Sequence, residues 1–222
     1  MKGSPPQDHV RLIIENATKK ANYVLGGSVI VLVNPSRKDI SFVDAELKDS
    51  VIVIHGSPLC LGLAMDSTIR HFFTPIIEEL RSISELEQAS ILDLSATAGL
   101  FSILASAMGA PQVHLVSDDP ETVKMNLKFN SCPAHLISKA KLSSLKNLDL
   151  VIHDLSFFPS VRLLSQSADR LKNGGILAVV GMLGQQIQML TRALEASGMQ
   201  VVLLDWANEQ CLMLLKKSGN RI

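Results

Sequence analysis

The fold of this 222-residue chain is decided by residues 91–130, ILDLSATAGLFSILASAMGAPQVHLVSDDPETVKMNLKFN. Ile91, Leu92 and Leu94 make a short apolar strand around one acid, Asp93. Residues 95–99 are all small, which lets the backbone turn tightly and pass close to a ligand. Residues 100–108 then place Phe101, Leu104, Ala105 and Met108 at the spacing of a helix with one buried face. Gly109 is positioned to stop that helix, because glycine takes the left-handed conformation without a Cβ penalty. Residues 113–116 read as a second strand. Asp118, Asp119 and Pro120 open the next helix, since acids favour a helix N-terminus and proline is tolerated in its first turn. A strand, a crossover helix and a second strand form a βαβ unit with parallel strands.

Working downstream, residues 135–137 and 148–153 read as the third and fourth strands. A helix over 161–172 follows, stopped by Asn173-Gly174-Gly175, and 176–180 is the fifth strand. A helix over 186–197 ends at Gly198. Residues 199–205 and 210–216 are then two consecutive strands around a short polar turn. Repeated βα units closed by a hairpin predict an α/β fold, with a mostly parallel seven-stranded sheet and one antiparallel strand added at its end. Working upstream, residues 68–81 carry Ile69, Phe72, Phe73, Ile76, Ile77 and Leu80 at helical spacing, with Asp66 or Ser67 as the N-cap. Residues 10–23 also read as a helix. Between these helices lie three strands, 29–33, 40–43 and 51–54, the first two joined by Asn34-Pro35-Ser36-Arg37. Three strands without an intervening helix predict an antiparallel meander. The chain therefore divides into a small β-rich N-terminal domain or extension, residues 1–60, and an α/β domain, residues 61–222.

Hydrophobic residues make up 47% of the chain and charged residues 19%, a balance that builds a buried core and argues against disorder. Lys plus Arg and Asp plus Glu both number 21, so the chain is not a strongly basic nucleic-acid binder, although a neutral total can hide a local patch. Cys60, Cys132 and Cys211 match no metal-ligand spacing and read as reduced thiols of a cytoplasmic protein. The longest charge-free stretches are broken by glycine and proline, so no bilayer-spanning run is expected. The six histidines are scattered singly, and no metal site, nucleophile–base pair or P-loop pattern is present.

The stretch from Asp93 onward resembles the nucleotide-binding half of class I S-adenosylmethionine-dependent methyltransferases. Asp93, Ala96, Gly99, Phe101, Ser102 and Ile103 match in register the wording found among tRNA guanosine methyltransferases and their relatives, and Pro120 and Asn130 continue it. The order Arg170-Leu171-Lys172-Asn173-Gly174-Gly175-Ile176 resembles the family's helix-to-strand turn. The resemblance covers residues 90–217. It implies a Rossmann-like fold and S-adenosyl-L-methionine as cofactor, held around Asp93, Ser95, Ala96, Thr97, Gly99, Ser117, Asp118 and Lys139. It also implies a catalytic clamp at Asp154 and Phe157, where amino-group methyltransferases carry Asn-Pro-Pro-aromatic. This chain departs from the family at four of these positions. Ser95 and Thr97 stand for glycines, Ser117 for the ribose-binding acid, and Lys139 for the adenine-side acid. These departures predict weakened cofactor binding.

Two functions follow from the resemblance. One is a methyltransferase acting on RNA or on a protein or other translation-related substrate. The other is a methyltransferase-fold protein without activity, serving as a partner or scaffold subunit. A homo-oligomer is compatible with either. A nicotinamide-binding Rossmann protein is disfavoured because G-x-G-x-x-G is absent.

Overall fold

The computed structural model describes residues 29–33, 40–44, 51–55, 72–94, 98–155, 161–182, 184–207 and 210–219. In chain order these form β1 (Val29–Val33), β2 (Ile40–Asp44), β3 (Val51–His55), α1 (Thr74–Ile83), β4 (Ser90–Leu94), α2 (Leu100–Ala107), β5 (Gln112–Leu115) and α3 (Pro120–Phe129). They continue with β6 (His135–Leu136), a 3₁₀ turn (Lys139–Ser144), β7 (Leu148–Asp154), α4 (Val161–Arg170), β8 (Leu171–Met182), α5 (Gly184–Ala196), β9 (Met199–Ala207) and β10 (Gln210–Lys217). No helix among the described residues is long and apolar enough to cross a membrane.

A seven-stranded sheet in the order β6-β5-β4-β7-β8-β10-β9 carries the expected α/β architecture. β4 pairs parallel with both β5 and β7, Ile91 lying opposite Val113 on one side and Leu150 on the other. β10 slots between β8 and β9 and is antiparallel to both. The central strands are buried at nearly every position because both faces are covered. Alternate residues supply two separate cores. Ile91, Leu150, Ile152, Ile176 and Ala178 face one side with Ile76, Ile77 and Leu80 of α1 and Ile103 and Leu104 of α2. Leu92, Leu94, Val151, Leu177 and Val179 face the other with Leu164 of α4 and Leu190 and Leu194 of α5.

Helix ends follow their residue chemistry. Asp119 caps α3 by accepting from the Thr122 N–H at 3.2 Å, with Pro120 in the first turn. α2 closes with Gly109 at φ +108, its N–H donating to Ser106 O and the Ala110 N–H to Ala105 O, each at 3.0 Å. That paired pattern is a Schellman stop and needs the left-handed glycine. Gly198, at φ +78, ends α5 with its N–H donating to Glu195 O at 3.0 Å.

Three expectations are corrected. The N-terminal strands are not a meander, because β1 is central in the order β2-β1-β3, antiparallel to β2 and parallel to β3. Strand succession fixes that β3 runs opposite to β2 but leaves open which edge of the hairpin it joins. The connection over 45–50 reaches roughly 20 Å when extended, enough to cross β1, which separates the outer strands by about 10 Å. The helix expected over 68–81 is Thr74–Ile83, with Phe72 and Phe73 in a wider turn at its start; its expected caps Asp66 and Ser67 lie outside the described residues. The largest correction concerns Gly174 and Gly175. They do not stop a helix, since α4 already ends at Arg170 and both lie inside β8. β8 pairs with β7 irregularly between Leu148 and Leu150, and Gly175 sits where the two backbones approach too closely for a Cβ.

Cys211 lies fully buried on β10, and burial, with the Asp205 carboxylate adding to it, pushes its thiol up to about 11 from an ordinary 9.0. The folded state thus resists ionising this group while the unfolded chain does not. Its contribution to stability is complete below about pH 9 and is lost as pH rises toward about 11. In the native protein Cys211 should stay unlabelled by iodoacetamide at mildly alkaline pH while half-buried Cys132 reacts, and urea should expose Cys211. Peptide mass spectrometry checks this, and labelling of Cys211 at the rate of Cys132 would contradict it.

Candidate cofactor site

The chain builds β4, β5 and β6 outward in one direction and then returns to lay β7 against the other side of β4. The reversal leaves a crevice at the C-terminal ends of β4 and β7, where open α/β sheets take their ligands. Asp93 near the end of β4, Gly99 after it, Ser117 and Asp118 beyond β5, Lys139 beyond β6 and Asp154 at the end of β7 all lie along that rim. Ser95, Ala96, Thr97 and Phe157 lie outside the described residues.

Asp93 is fully buried. Its Oδ2 accepts from the Ser102 N–H at 3.1 Å and from the Ser102 hydroxyl at 2.7 Å. Ser102 sits in the first turn of α2, so the carboxylate meets the exposed amides and positive dipole end of that helix. Gly99 is the N-cap of α2 at φ +78. A Cβ there would meet Leu115 Cδ1 and Val123 Cγ1 at 3.6 Å, so the added atom would face the core rather than the ligand loop. Gly99→Val therefore strains the fold as well as any site, because a branched residue rarely adopts this left-handed φ. Asn126, buried on the inner face of α3, donates from Nδ2 to Ala98 O at 2.8 Å and pins the far end of the loop.

The β5 tip is shaped locally. The Ser117 hydroxyl accepts from the Asp119 N–H at 2.9 Å, closing a side-chain turn. Asp118 points outward and pairs with Lys139, Oδ1 to Nζ at 2.7 Å, both side chains being 60% exposed. The acid moved one residue along and the lysine that replaced an acid are thus brought together across two strand tips. At β7, buried His153 lies 3.2 Å through Nδ1 from the Ser167 hydroxyl, which itself donates to Leu163 O at 2.9 Å. The pair ties β7 to α4 directly behind Asp154, which is half-buried.

Sequence reading named Ser102 only as a motif match and gave Asn126 and His153 no part in building the site. Asn126 did carry a signal, being a polar residue among Val123 and Leu127 on the buried face of a helix, where it must find a partner.

A parallel sheet with a terminal antiparallel hairpin and a crevice at its switch point defines a Rossmann-like, class I methyltransferase fold. The family model for ribosomal protein L11 methyltransferase (PrmA) matches residues 71–218, and the chain belongs to that family. The L11 methyltransferase of Bacillus velezensis is 28% identical over 128 residues, 53% of this chain and 41% of that protein. The one from Methylococcus capsulatus is 24% identical over 145 residues, 63% of this chain and 49% of that protein. The chain thus spans less than half the length of these curated relatives. Among solved structures, a ribosomal protein L11 methylase from Lactobacillus delbrueckii subsp. bulgaricus superposes with a TM-score of 0.64 at 16% identity, covering 86% of this chain and 94% of that one. A precorrin-6y C5,15-methyltransferase from Geobacter metallireducens gives 0.57 at 15% identity, covering 72% and 92%. The narrower likeness of the Asp93–Ile103 wording to tRNA guanosine methyltransferases is not what the family match gives.

Proposed function

We propose that this chain is an S-adenosylmethionine-dependent methyltransferase module that modifies an amino group on a ribosomal protein. The observation that carries it is the family match over residues 71–218, which contains the whole switch-point crevice. The residues present suit the cofactor. Small residues 95–99 permit close approach, Asp93 and Asn126 fix the two ends of that loop, and Asp118 offers an exposed carboxylate beyond β5. The bound cofactor supplies an electrophilic methyl group. The chain supplies alignment, for which little acid–base chemistry is needed when the acceptor is already nucleophilic. Asp154 is the acceptor-side residue of this reading and accepts a hydrogen bond from the incoming amine, while Phe157 stacks beside it. Asp93, being buried, acts through the loop and helix it holds and is a positioning residue.

Binding should be weak. Thr97, Ser117 and Lys139 each replace a gripping residue, and losses of about 1–2 kcal/mol apiece, if additive, move a micromolar site to roughly millimolar. Calorimetric titration with S-adenosylmethionine and S-adenosylhomocysteine measures this. Transfer of labelled methyl to ribosomal protein L11 or to ribosomal RNA then identifies the acceptor. No binding at millimolar cofactor would overturn the enzyme reading in favour of a scaffold, and micromolar binding would refute the weakening argument while leaving the reaction standing.

A further inference from the structure

Residues 122–148 carry five lysines, Lys124, Lys128, Lys139, Lys141 and Lys146, and no acid, in a chain whose formal charge is zero. They flank the outer edge of the seven-stranded sheet. Lys124 and Lys128 stand one helical turn apart on the outer side of α3, whose inner side is Val123, Asn126 and Leu127. Lys139, Lys141 and Lys146 follow β6, where Leu142 turns inward and the lysines turn out. All five are exposed, as is His135 on β6 between them. Lys124 pairs with Glu121 at 2.8 Å and Lys139 with Asp118 at 2.7 Å, contacts at exposed positions that salt screens. Among the described residues Lys128, Lys141 and Lys146 have no ion-pair partner.

We propose that this basic edge binds the phosphodiester backbone of an RNA strand. Two alternatives fit the surface less well. Protein interfaces have an apolar core and are depleted in lysine, and membrane-surface elements insert apolar side chains. Among the described residues the large apolar side chains that are exposed, Met189, Val202, Leu204 and Trp206, all lie on α5 and β9 toward the opposite edge of the sheet. What remains is a row of compact point charges without an apolar centre, which suits a repeating anion held through its backbone. The choice of RNA over DNA rests on the ribosomal reading above; the docking itself requires neither cofactor nor methyl transfer.

The test is fluorescence anisotropy with a labelled single-stranded RNA, comparing the parent protein with K128S/K141S/K146S and with Arg192→Ser, a neutralised exposed cation on α5. If all five lysines release counterions, the log–log salt slope is about −3.5, a roughly hundredfold loss of affinity between about 50 and 200 mM salt. The triple variant should bind at least about tenfold more weakly at low salt, with its slope reduced to about −1.4. Arg192→Ser should bind as the parent does, and the parent's thermal midpoint in the triple variant shows that its fold is kept. Unchanged affinity in the triple variant would overturn the proposal. So would displacement of the RNA by polyglutamate or anionic vesicles at equal charge. Failure of S-adenosylhomocysteine to bind the parent protein would count against the enzymatic reading and leave this result untouched.

Discussion

Gly175→Ala is expected to cost about 3 kcal/mol of stability, although the change adds a single methyl group. The Cβ would sit 2.9 Å from Leu148 O, 3.0 Å from Lys172 O and 3.3 Å from Asp149 O. All three are backbone atoms, so no side chain can rotate away, and relief requires β7 and β8 to separate where their pairing is already irregular. Asp149 sharpens the effect. It is 5% exposed, its Oδ2 accepts from the Ser90 N–H at 2.8 Å, and it pairs with Lys172, so moving its backbone disturbs β4 as well. The neighbouring Gly174→Ala is the control. That glycine has φ +79 and nothing within 4 Å of its Cβ position, so the cost is left-handed strain alone, about 1–2 kcal/mol. Thermal unfolding should place the first variant roughly 6–12 °C below the parent and the second nearer 2–8 °C. Equal shifts would mean that β7 and β8 accommodate the methyl without separating.

This pair of glycines also shows where sequence reading stops. Asn-Gly-Gly after a helical run is a good helix stop on local chemistry, and nothing local distinguishes it from a strand whose partner approaches too closely for a side chain. The distinction is tertiary, held in three carbonyl oxygens, two of them more than twenty residues away in β7. The sheet itself was legible because parallel strands covered on both faces read as short, largely apolar runs, as Leu150–Ile152 does, and because a final strand pair without a helix between forces an antiparallel insertion. The N-terminal order β2-β1-β3 was not legible, since alternation of direction is common to a meander and to this arrangement. At the site, position on the rim followed from strand ends, whereas the partners of each polar group did not. Ser117 and Asp118 are adjacent in sequence, yet one hydroxyl folds back on Asp119 and the other side chain reaches Lys139, 21 residues on.

Asp93→Ala is expected to be the most damaging polar substitution at the crevice, acting on stability first and on cofactor affinity through it. The carboxylate is fully buried and its Oδ2 gathers two donors from one residue, the amide and the hydroxyl of Ser102. Hydrogen bonds to a charged group contribute about 1.5–3 kcal/mol, and a buried donor left unpaired costs about 1–3 kcal/mol more. The alanine variant leaves the Ser102 hydroxyl and an amide in the first turn of α2 without this acceptor, and the negative charge facing that helix end disappears. A loss of about 3–4 kcal/mol follows, a large share of the roughly 5–15 kcal/mol that holds a domain of this kind folded. Ser102→Ala separates the two contacts. It removes the hydroxyl donor and keeps the amide bond, so it should cost only about 1 kcal/mol. The double variant should then lose less than the sum of the singles, because the two share one interaction. Urea unfolding of the four proteins gives the coupling directly. Strict additivity would show that the buried carboxylate and Ser102 do not stabilise one another.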